Sequence, residues 1–185
     1  YIKIMACDLT LGFEEPCKSN IGGIDAVYFV NFGDLGTVTQ TNDEITNMSG
    51  TFAAYKYVLK GNENTLTEAV TSDRNTGTTF YTQTLALSLK GVSKAMNKEL
   101  KLMAYGRPHI VVVDRMGNAR MMGLVRGAEV TGGDITTGGA MGDKLGYTLT
   151  LVAEEPLPAN FIASPVASDP FDGMTSATVT IVAAV

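Results

Sequence analysis

Apolar and polar residues alternate with a period of two along much of the chain. Successive side chains of an extended strand point to opposite faces, so this period predicts strands with one apolar and one solvated face. The polar positions are mostly threonine, serine and lysine, which suits antiparallel sheets with one face in water. The segments with this pattern are 24–30 (where the second face is also largely apolar), 55–60, 84–90, 147–151 and 177–181.

A continuous apolar run at residues 109–114 lacks the alternation and predicts a central strand that is buried on both faces. Asp114-Arg-Met-Gly-Asn118 follows it, and Gly117 and Asn118 both tolerate the positive φ of tight turns. Residues 119–125 then return as a second strand. These segments form the clearest predicted hairpin of the chain.

One segment has a helical period instead. Between residues 92 and 105, apolar side chains recur at helical spacing, while lysines and an asparagine occupy the opposite face. Ser93 is a suitable N-cap, and Gly106 followed by Pro108 is a stop signal. We therefore expect one amphipathic helix over residues 92–105, packed on a sheet.

Three segments have no regular pattern and are interpreted as irregular arms. Residues 33–51 are polar, residues 132–146 are rich in glycine, and residues 154–174 contain four of the six prolines and should run over the surface as an extended arm. Loops of this length in a compact domain are usually functional or mobile. Neither an internal repeat nor an interdomain linker is visible, so residues 1–185 are assigned to a single domain.

Together these elements predict a mainly β fold with one flanking helix, built from two packed antiparallel sheets as a sandwich or barrel. Hydrophobic residues make up 45% of the chain and charged residues 18%, compared with roughly 25% charged residues in an average globular protein. A chain with so few charges either covers part of its surface or is poorly soluble, and oligomerisation is one way of covering it. The composition therefore favours assembly.

The charge of the chain argues against nucleic-acid recognition, which needs clustered lysine and arginine. The net charge is −5, and Glu99 interrupts the densest group of lysines, at positions 94, 98 and 101. Tyr1-Ile-Lys-Ile does not begin a signal peptide, and the apolar runs are far shorter than the ~20 residues of a membrane helix. We expect a soluble protein, made in a cytoplasm, that does not enter membranes.

Residues that could carry out catalysis are few and scattered. His109 is the only histidine and precedes an apolar run, so a structural or solvent-facing role is expected, and His109→Gln should leave assembly near normal. The carboxylate pairs Glu14-Glu15 and Glu154-Glu155 consist of adjacent residues, whose side chains diverge in an extended chain. We expect no catalytic residue, no cofactor and no enzymatic activity.

Metal and phosphate sites are not expected either. Cys7 and Cys17 cannot complete a zinc site with one histidine, and they are either unpaired thiols or a disulfide. Asp134 and Asp143 could offer oxygens to calcium but lack EF-hand spacing. The glycine-rich segment 132–146 lacks the Gly-Lys-Ser/Thr order of a phosphate-binding loop.

Residues 107–162, less than a third of the chain, resemble phage major tail, tail-tube and tail-hub proteins. In those proteins a hairpin, a glycine-rich loop and a long strand recur. The residues that carry the resemblance are Ile110-Val-Val-Val-Asp114, Gly117-Asn118, Gly123, Gly127, Thr137-Gly-Gly, Gly142-Asp143, Gly146-Tyr-Thr-Leu-Thr-Leu151 and Glu154-Glu-Pro-Leu-Pro-Ala159.

The resemblance implies a structural protein of the phage virion, located in the tail. Six copies would form a ring whose inner wall is one continuous β-barrel, rings would stack with other tail proteins, and DNA would pass through without specific binding. The acidic balance suits such a conduit, because it does not attract phosphates. The proline-rich segment 154–174 departs from tail-tube sequences, so a tail hub, head–tail connector or capsid-associated protein stays open.

A non-catalytic receptor- or glycan-binding sandwich would have the same strands. It should also expose aromatic residues on loops, yet tryptophan is absent and the tyrosines lie mostly in strand patterns. We expect closed rings, because open sheet edges invite uncontrolled pairing. Segments 33–51 and 132–146 are the predicted contacts and should become ordered against a neighbour. Deleting residues 134–143 should leave the monomer folded and block ring formation.

Overall fold

The computed structural model describes residues 9–184, which fold into twelve strands and one helix. The helix is α1 (Lys94–Tyr105). The strands are β1 (Ile24–Val30), β2 (Val38–Thr41), β3 (Glu44–Met48), β4 (Thr51–Val58), β5 (Thr65–Asp73), β6 (Thr78–Lys90), β7 (His109–Asp114), β8 (Ala119–Met122), β9 (Glu129–Thr136), β10 (Gly146–Glu155), β11 (Asn160–Ile162) and β12 (Thr178–Val182).

The strands form two packed sheets, which confirms the predicted mainly β, sandwich-like fold. The larger sheet has eight strands in the order β12-β4-β1-β7-β8-β11-β3-β2, and the smaller sheet has four in the order β5-β6-β10-β9. Both sheets keep two open edges within residues 9–184, so the sandwich and not the closed barrel is observed.

The smaller sheet is antiparallel throughout, as predicted, but the larger sheet is mixed. In it β11 runs parallel to β3, and β12 runs parallel to β4. Both parallel strands come from the last part of the chain and reach their partners through long connections, as parallel pairing requires. The period of two cannot reveal strand direction, so this feature was not predictable from it.

Two apolar cores lie on the two faces of the larger sheet. The first core lies between the sheets and beneath α1, with Val27 of β1 and Leu85 of β6 among its members. The second core lies on the opposite face, where Tyr28 of β1 packs with Phe171 and Met174. Strands β1 and β7 contribute to both cores, which explains why both of their faces are apolar.

Helix α1 confirms the predicted helix, with its start at Lys94. The Ser93 hydroxyl oxygen accepts a hydrogen bond from the Met96 N–H at 3.1 Å and so caps the first turn. Leu100 is buried in the first core. At the other end, the Gly106 N–H donates to the Leu102 carbonyl at 3.0 Å. The helix therefore starts and stops at the residues whose chemistry predicts it.

Segment 33–51 was predicted to be irregular, and this prediction is wrong. It contains β2 and β3, which pair as an antiparallel hairpin at one edge of the larger sheet, and it ends where β4 begins. Asn42 and Asp43 form the turn with φ of 53° and 61°, the left-handed values of a type I′ turn. The edge strand β2 buries no side chain and β3 buries only Ile45 and Met48, so the alternation is weak.

The glycine-rich segment 132–146 is irregular only in its second part, at residues 137–145. Strand β9 continues through Gly132 and Gly133 to Thr136 and pairs with β10. Glycines have no side chain to contribute to an alternating pattern, so the period of two did not predict this strand. Deleting residues 134–143 would remove paired residues of β9 together with the loop, so we no longer expect that deletion to leave the monomer intact.

Segment 154–174 is not the extended arm that was predicted. It contains the last residues of β10 and all of β11, and then makes successive turns. Val166 and Asp169 form an isolated bridge, and the Asp169 carboxylate accepts the Phe171 N–H at 2.8 Å. These turns bring Phe171 and Met174 onto the second core. The segment therefore covers a face of the larger sheet.

Candidate assembly surface

The smaller sheet has one face in the first core and one face in solvent. Leu85 and Leu87 of β6, with Leu149 and Leu151 of β10, point into the core, and the residues between them point outward. Cross-strand partners share a face. The outward positions include Thr65, Thr67, Ala69 and Thr71 on β5, Thr82, Thr84 and Ala86 on β6, Thr148, Thr150 and Val152 on β10, and Gly132, Asp134 and Thr136 on β9. We call this surface the threonine face.

The middle of the threonine face carries no charge. One cross-strand row joins Thr67, Thr84 and Val152, and the next joins Thr65, Ala86 and Thr150. Toward the strand ends and on β9 stand Asp73, Glu129, Asp134, Glu154 and Lys90. The Lys144 ammonium also lies on this face, against the Ser88 and Thr148 hydroxyls, with the Glu63 carboxylate beside it. A face of small hydroxyl groups with a weakly acidic border offers little attraction to phosphate groups.

Strands β5 and β9 are the open edges of this sheet. Monomeric proteins commonly protect such edges with lysine, proline or bulges. Neither strand contains lysine or proline, although β9 has one register shift against β10. Val70 on β5 and Ile135 on β9 are 61% and 62% exposed. Both edges carry acidic residues and β9 carries the irregularity, but each edge is unpaired in residues 9–184 and has an exposed apolar side chain.

The loop of residues 137–145 follows β9 and is organised by its own hydrogen bonds. The Asp143 carboxylate accepts the N–H groups of Ala140 and Gly139 at 2.7 and 2.9 Å. These two bonds, the one from Ala140 first, lower the pKa of the Asp143 carboxyl. Asp143 thus shapes the loop, and Met141 in the same loop is fully exposed.

A hydroxyl, an ammonium and a carboxylate meet where this loop contacts β6. The Ser88 hydroxyl donates to Glu63 Oε2 at 2.6 Å and accepts from Lys144 Nζ at 2.6 Å. Lys144 also donates to the Thr148 hydroxyl at 2.9 Å. The hydrogen bond from Ser88 and then the charge of Lys144 lower the pKa of Glu63. The cluster ties the loop to the sheet.

His109 is buried between the end of β1 and the loop after β8. Its Nδ1 lies 2.6 Å from the Gly123 carbonyl oxygen, and its Nε2 lies 3.2 Å from the Gly33 nitrogen, whose N–H it accepts. This network assigns the neutral ring with its proton on Nδ1. Burial lowers the pKa of His109, against smaller opposing effects of Gly123 and Asp34. Both ring nitrogens are engaged with the backbone, so His109 holds two loops together.

The acidic pair at the end of β10 diverges as expected. Glu154 is exposed, whereas Glu155 is buried and accepts the N–H groups of Val125 and Arg126 at 3.1 and 2.7 Å. Burial raises the pKa of Glu155. Gln83, which the sequence reasoning missed, is also buried and accepts the Gly123 N–H at 2.9 Å. These polar side chains anchor the loop after β8.

The remaining candidates from the sequence do not come together. Glu14, Glu15 and Cys17 are exposed in the segment before β1, and Cys7 lies outside the described residues. Asp134 is on the threonine face. Residues 9–184 contain no group of three or more metal-ligating side chains. Over the same residues, no helix has the length and apolar character needed to span a bilayer.

In comparisons with known proteins, no family model matches the chain, and neither a curated protein nor a solved structure matches it.

Proposed function

We propose that this chain is a structural virion protein of a bacteriophage that assembles into rings of the tail tube or tail hub and forms a conduit for DNA. The observation that supports this most strongly is the smaller sheet. It combines four long antiparallel strands, two open edges and an outer face whose central rows consist of threonine, alanine and valine. A binding module needs none of these three features, whereas a ring wall needs all of them.

In the proposed ring, β5 of one copy pairs with β9 of the next. The pairing satisfies the edge groups and closes the smaller sheets into one barrel. Six copies of a four-stranded sheet would give about 24 strands, more than the 16–18 strands that leave an aqueous channel in porins. The number six comes from the tail-tube resemblance.

The threonine face would then line the lumen. The opposite face of the smaller sheet is already covered by the first core and cannot face an aqueous channel. Neutral hydroxyl rows with a weakly acidic border let DNA pass, since tight binding requires lysine and arginine to displace phosphate counterions. The scarcity of lysine and arginine on this face also disfavours a role in which the protein packages DNA through stable contacts.

The β5–β6 hairpin offers a contact between rings. The pairing of β6 with β10 ends at Tyr81 and Glu155, whereas the pairing of β5 with β6 continues to Asp73 and Thr78. The hairpin tip therefore projects beyond its own sheet, where it would meet a stacked ring or another tail protein.

Native mass spectrometry and negative-stain electron microscopy of the purified full chain test the proposal. The expected result is one closed oligomer that appears as rings or stacked tubes with a central channel. A strictly monomeric protein at high concentration, or compact oligomers without a channel, would contradict it. The same images distinguish the conduit from a receptor-binding module, which has no channel.

A further inference from the structure

Residues 9–23 precede β1 without regular secondary structure, and every one of them is exposed. Leu9, Leu11 and Phe13 alternate with small or polar residues and are 97%, 89% and 88% exposed. Such alternation is typical of a strand with one apolar face, yet residues 9–13 pair with no other strand of the described chain. We call residues 9–13 the arm. An isolated strand of this kind is stable only when a sheet receives it.

Strand β12 provides an open sheet edge, since it pairs only with β4. The Thr178 N–H donates to the Gly50 carbonyl on the β4 side. Backbone groups alternate in direction along a strand, so Val179 and Ile181 direct their N–H and C=O groups away from β4. Of the other open edges, β5 and β9 belong to the proposed ring contact, and β2 presents mostly polar side chains.

An apolar cleft of about 340 Å³ lies between β4 and the C-terminal half of α1. Its walls include Phe32, Tyr55 and Leu102, which are 40%, 37% and 53% exposed. Val182 of β12 is the registered partner of Tyr55 and therefore shares its face. The exposed apolar surface thus continues from the cleft to the open edge.

The charges of the arm and the cleft are complementary. Lys98 and Lys101 are exposed on α1, one helical turn before Leu102 and Tyr105, and Arg107 lines the end of the cleft. Glu99 is the one carboxylate among the lining residues. The dipeptide Glu14-Glu15 follows the arm directly.

We propose that the arm of one copy adds as a strand to the open edge of β12 in a second copy. Its apolar side chains extend the face formed by Val182 and Tyr55, and Glu14-Glu15 lie toward the lysines of α1. This contact rests on the proposed self-association but differs from the β5–β9 contact. The donor and acceptor surfaces are different parts of one chain, so each copy can receive an arm and donate its own.

Cross-linking between two differently tagged populations tests this contact. In both, Cys7 and Cys17 are replaced by serine; one carries Leu11→Cys and the other Val182→Cys. Mixing and mild oxidation should give a disulfide between the two tags. Thr39→Cys on the exposed strand β2 replaces Val182→Cys in the matched control and should cross-link about tenfold less, as expected for a site outside a specific contact.

A second pair of variants measures the strength of the contact. Leu11→Asp should weaken association through the arm about tenfold or more, the usual cost of losing an interface anchor, whereas Thr10→Asp adds the same charge on the other face of the arm and should have little effect. Rings that form without the Val182 cross-link, or equal effects of the two variants, would overturn the arm contact and leave the ring proposal standing. A chain that stays monomeric throughout would overturn both.

Discussion

Gly133 of β9 packs directly against the backbone of Thr148 in β10: a Cβ at position 133 would lie 2.3 Å from the Thr148 carbonyl oxygen. The φ of Gly133 is +157°, a value that other residues rarely adopt. At the adjacent Gly132 a Cβ would have no neighbouring atom within 4 Å, and its φ is not positive. One glycine of the pair is therefore required by the sheet and the other is not.

Gly133→Ala should lower the free energy of unfolding by about 2 kcal/mol or more, because it combines a backbone clash with a strained φ. Gly132→Ala should change it by less than about 1 kcal/mol. Urea denaturation of the two variants measures the difference. Equal effects would show that β9 does not dock on β10 in the observed register.

His109→Gln should lower the free energy of unfolding by about 1–3 kcal/mol, because a buried imidazole that bonds to two loops is lost. The location of His109 therefore revises the near-neutral effect expected from the sequence. Denaturation of the variant at neutral pH measures the loss, and an unchanged midpoint would contradict the structural role.

The stability of the wild-type chain should also depend on pH through His109. Its pKa is lowered in the folded state from 6.5, so the unfolded chain takes up the proton first as the pH falls. The stabilising contribution is fully present above about pH 6.5 and is lost as the pH falls toward the folded pKa. The difference in unfolding free energy between wild type and His109→Gln should shrink over this interval. A difference that stays constant with pH would contradict the lowered pKa.

Val70→Lys should leave the monomer folded and prevent ring formation, because it places a charge on the open edge β5. Met116→Lys is a matched control: Met116 is 47% exposed in the turn between β7 and β8, away from both edges of the smaller sheet. Native mass spectrometry should show monomers for the first variant and wild-type oligomers for the second. Rings formed by Val70→Lys would exclude the β5–β9 contact.

Thr67→Lys should increase the retention of DNA by the proposed lumen, because it reduces the net negative charge of the threonine face. Each copy would add one positive charge in a central row of the threonine face, and assembled rings should hold DNA in a salt-dependent way. Thr67→Gln, of similar length and without charge, is the control. Co-sedimentation of tubes with DNA at low and high salt measures retention. If Thr67→Lys tubes retained no more DNA than the control, the threonine face would not line the channel.

Local sequence chemistry was sufficient to predict the elements in which buried and exposed side chains follow a regular pattern. Val27 and Phe29, with the apolar run of β7, indicated strands buried on both faces, and Ser93 with Gly106 delimited α1, because capping and periodicity act within a few residues. The elements without such sorting were missed: β2 is a polar edge strand, β3 next to it has only two buried side chains, and β9 contains two glycines, so their strand character depends on the neighbours with which they pair.

Which distant residues meet depends on the packing of the whole chain. Ser88 and Lys144 are 56 positions apart, and His109 and Gly33 are 76 apart, so no spacing could reveal either contact. The parallel direction of β12, the burial of Phe171 and the exposure of the arm likewise follow from the tertiary structure. The period of two predicts that a strand has one buried face and one solvent-exposed face. Long-range packing decides which sheet contains that strand, whether the strand lies at an edge, and which strands pair with it. The local pattern carries no information about these contacts.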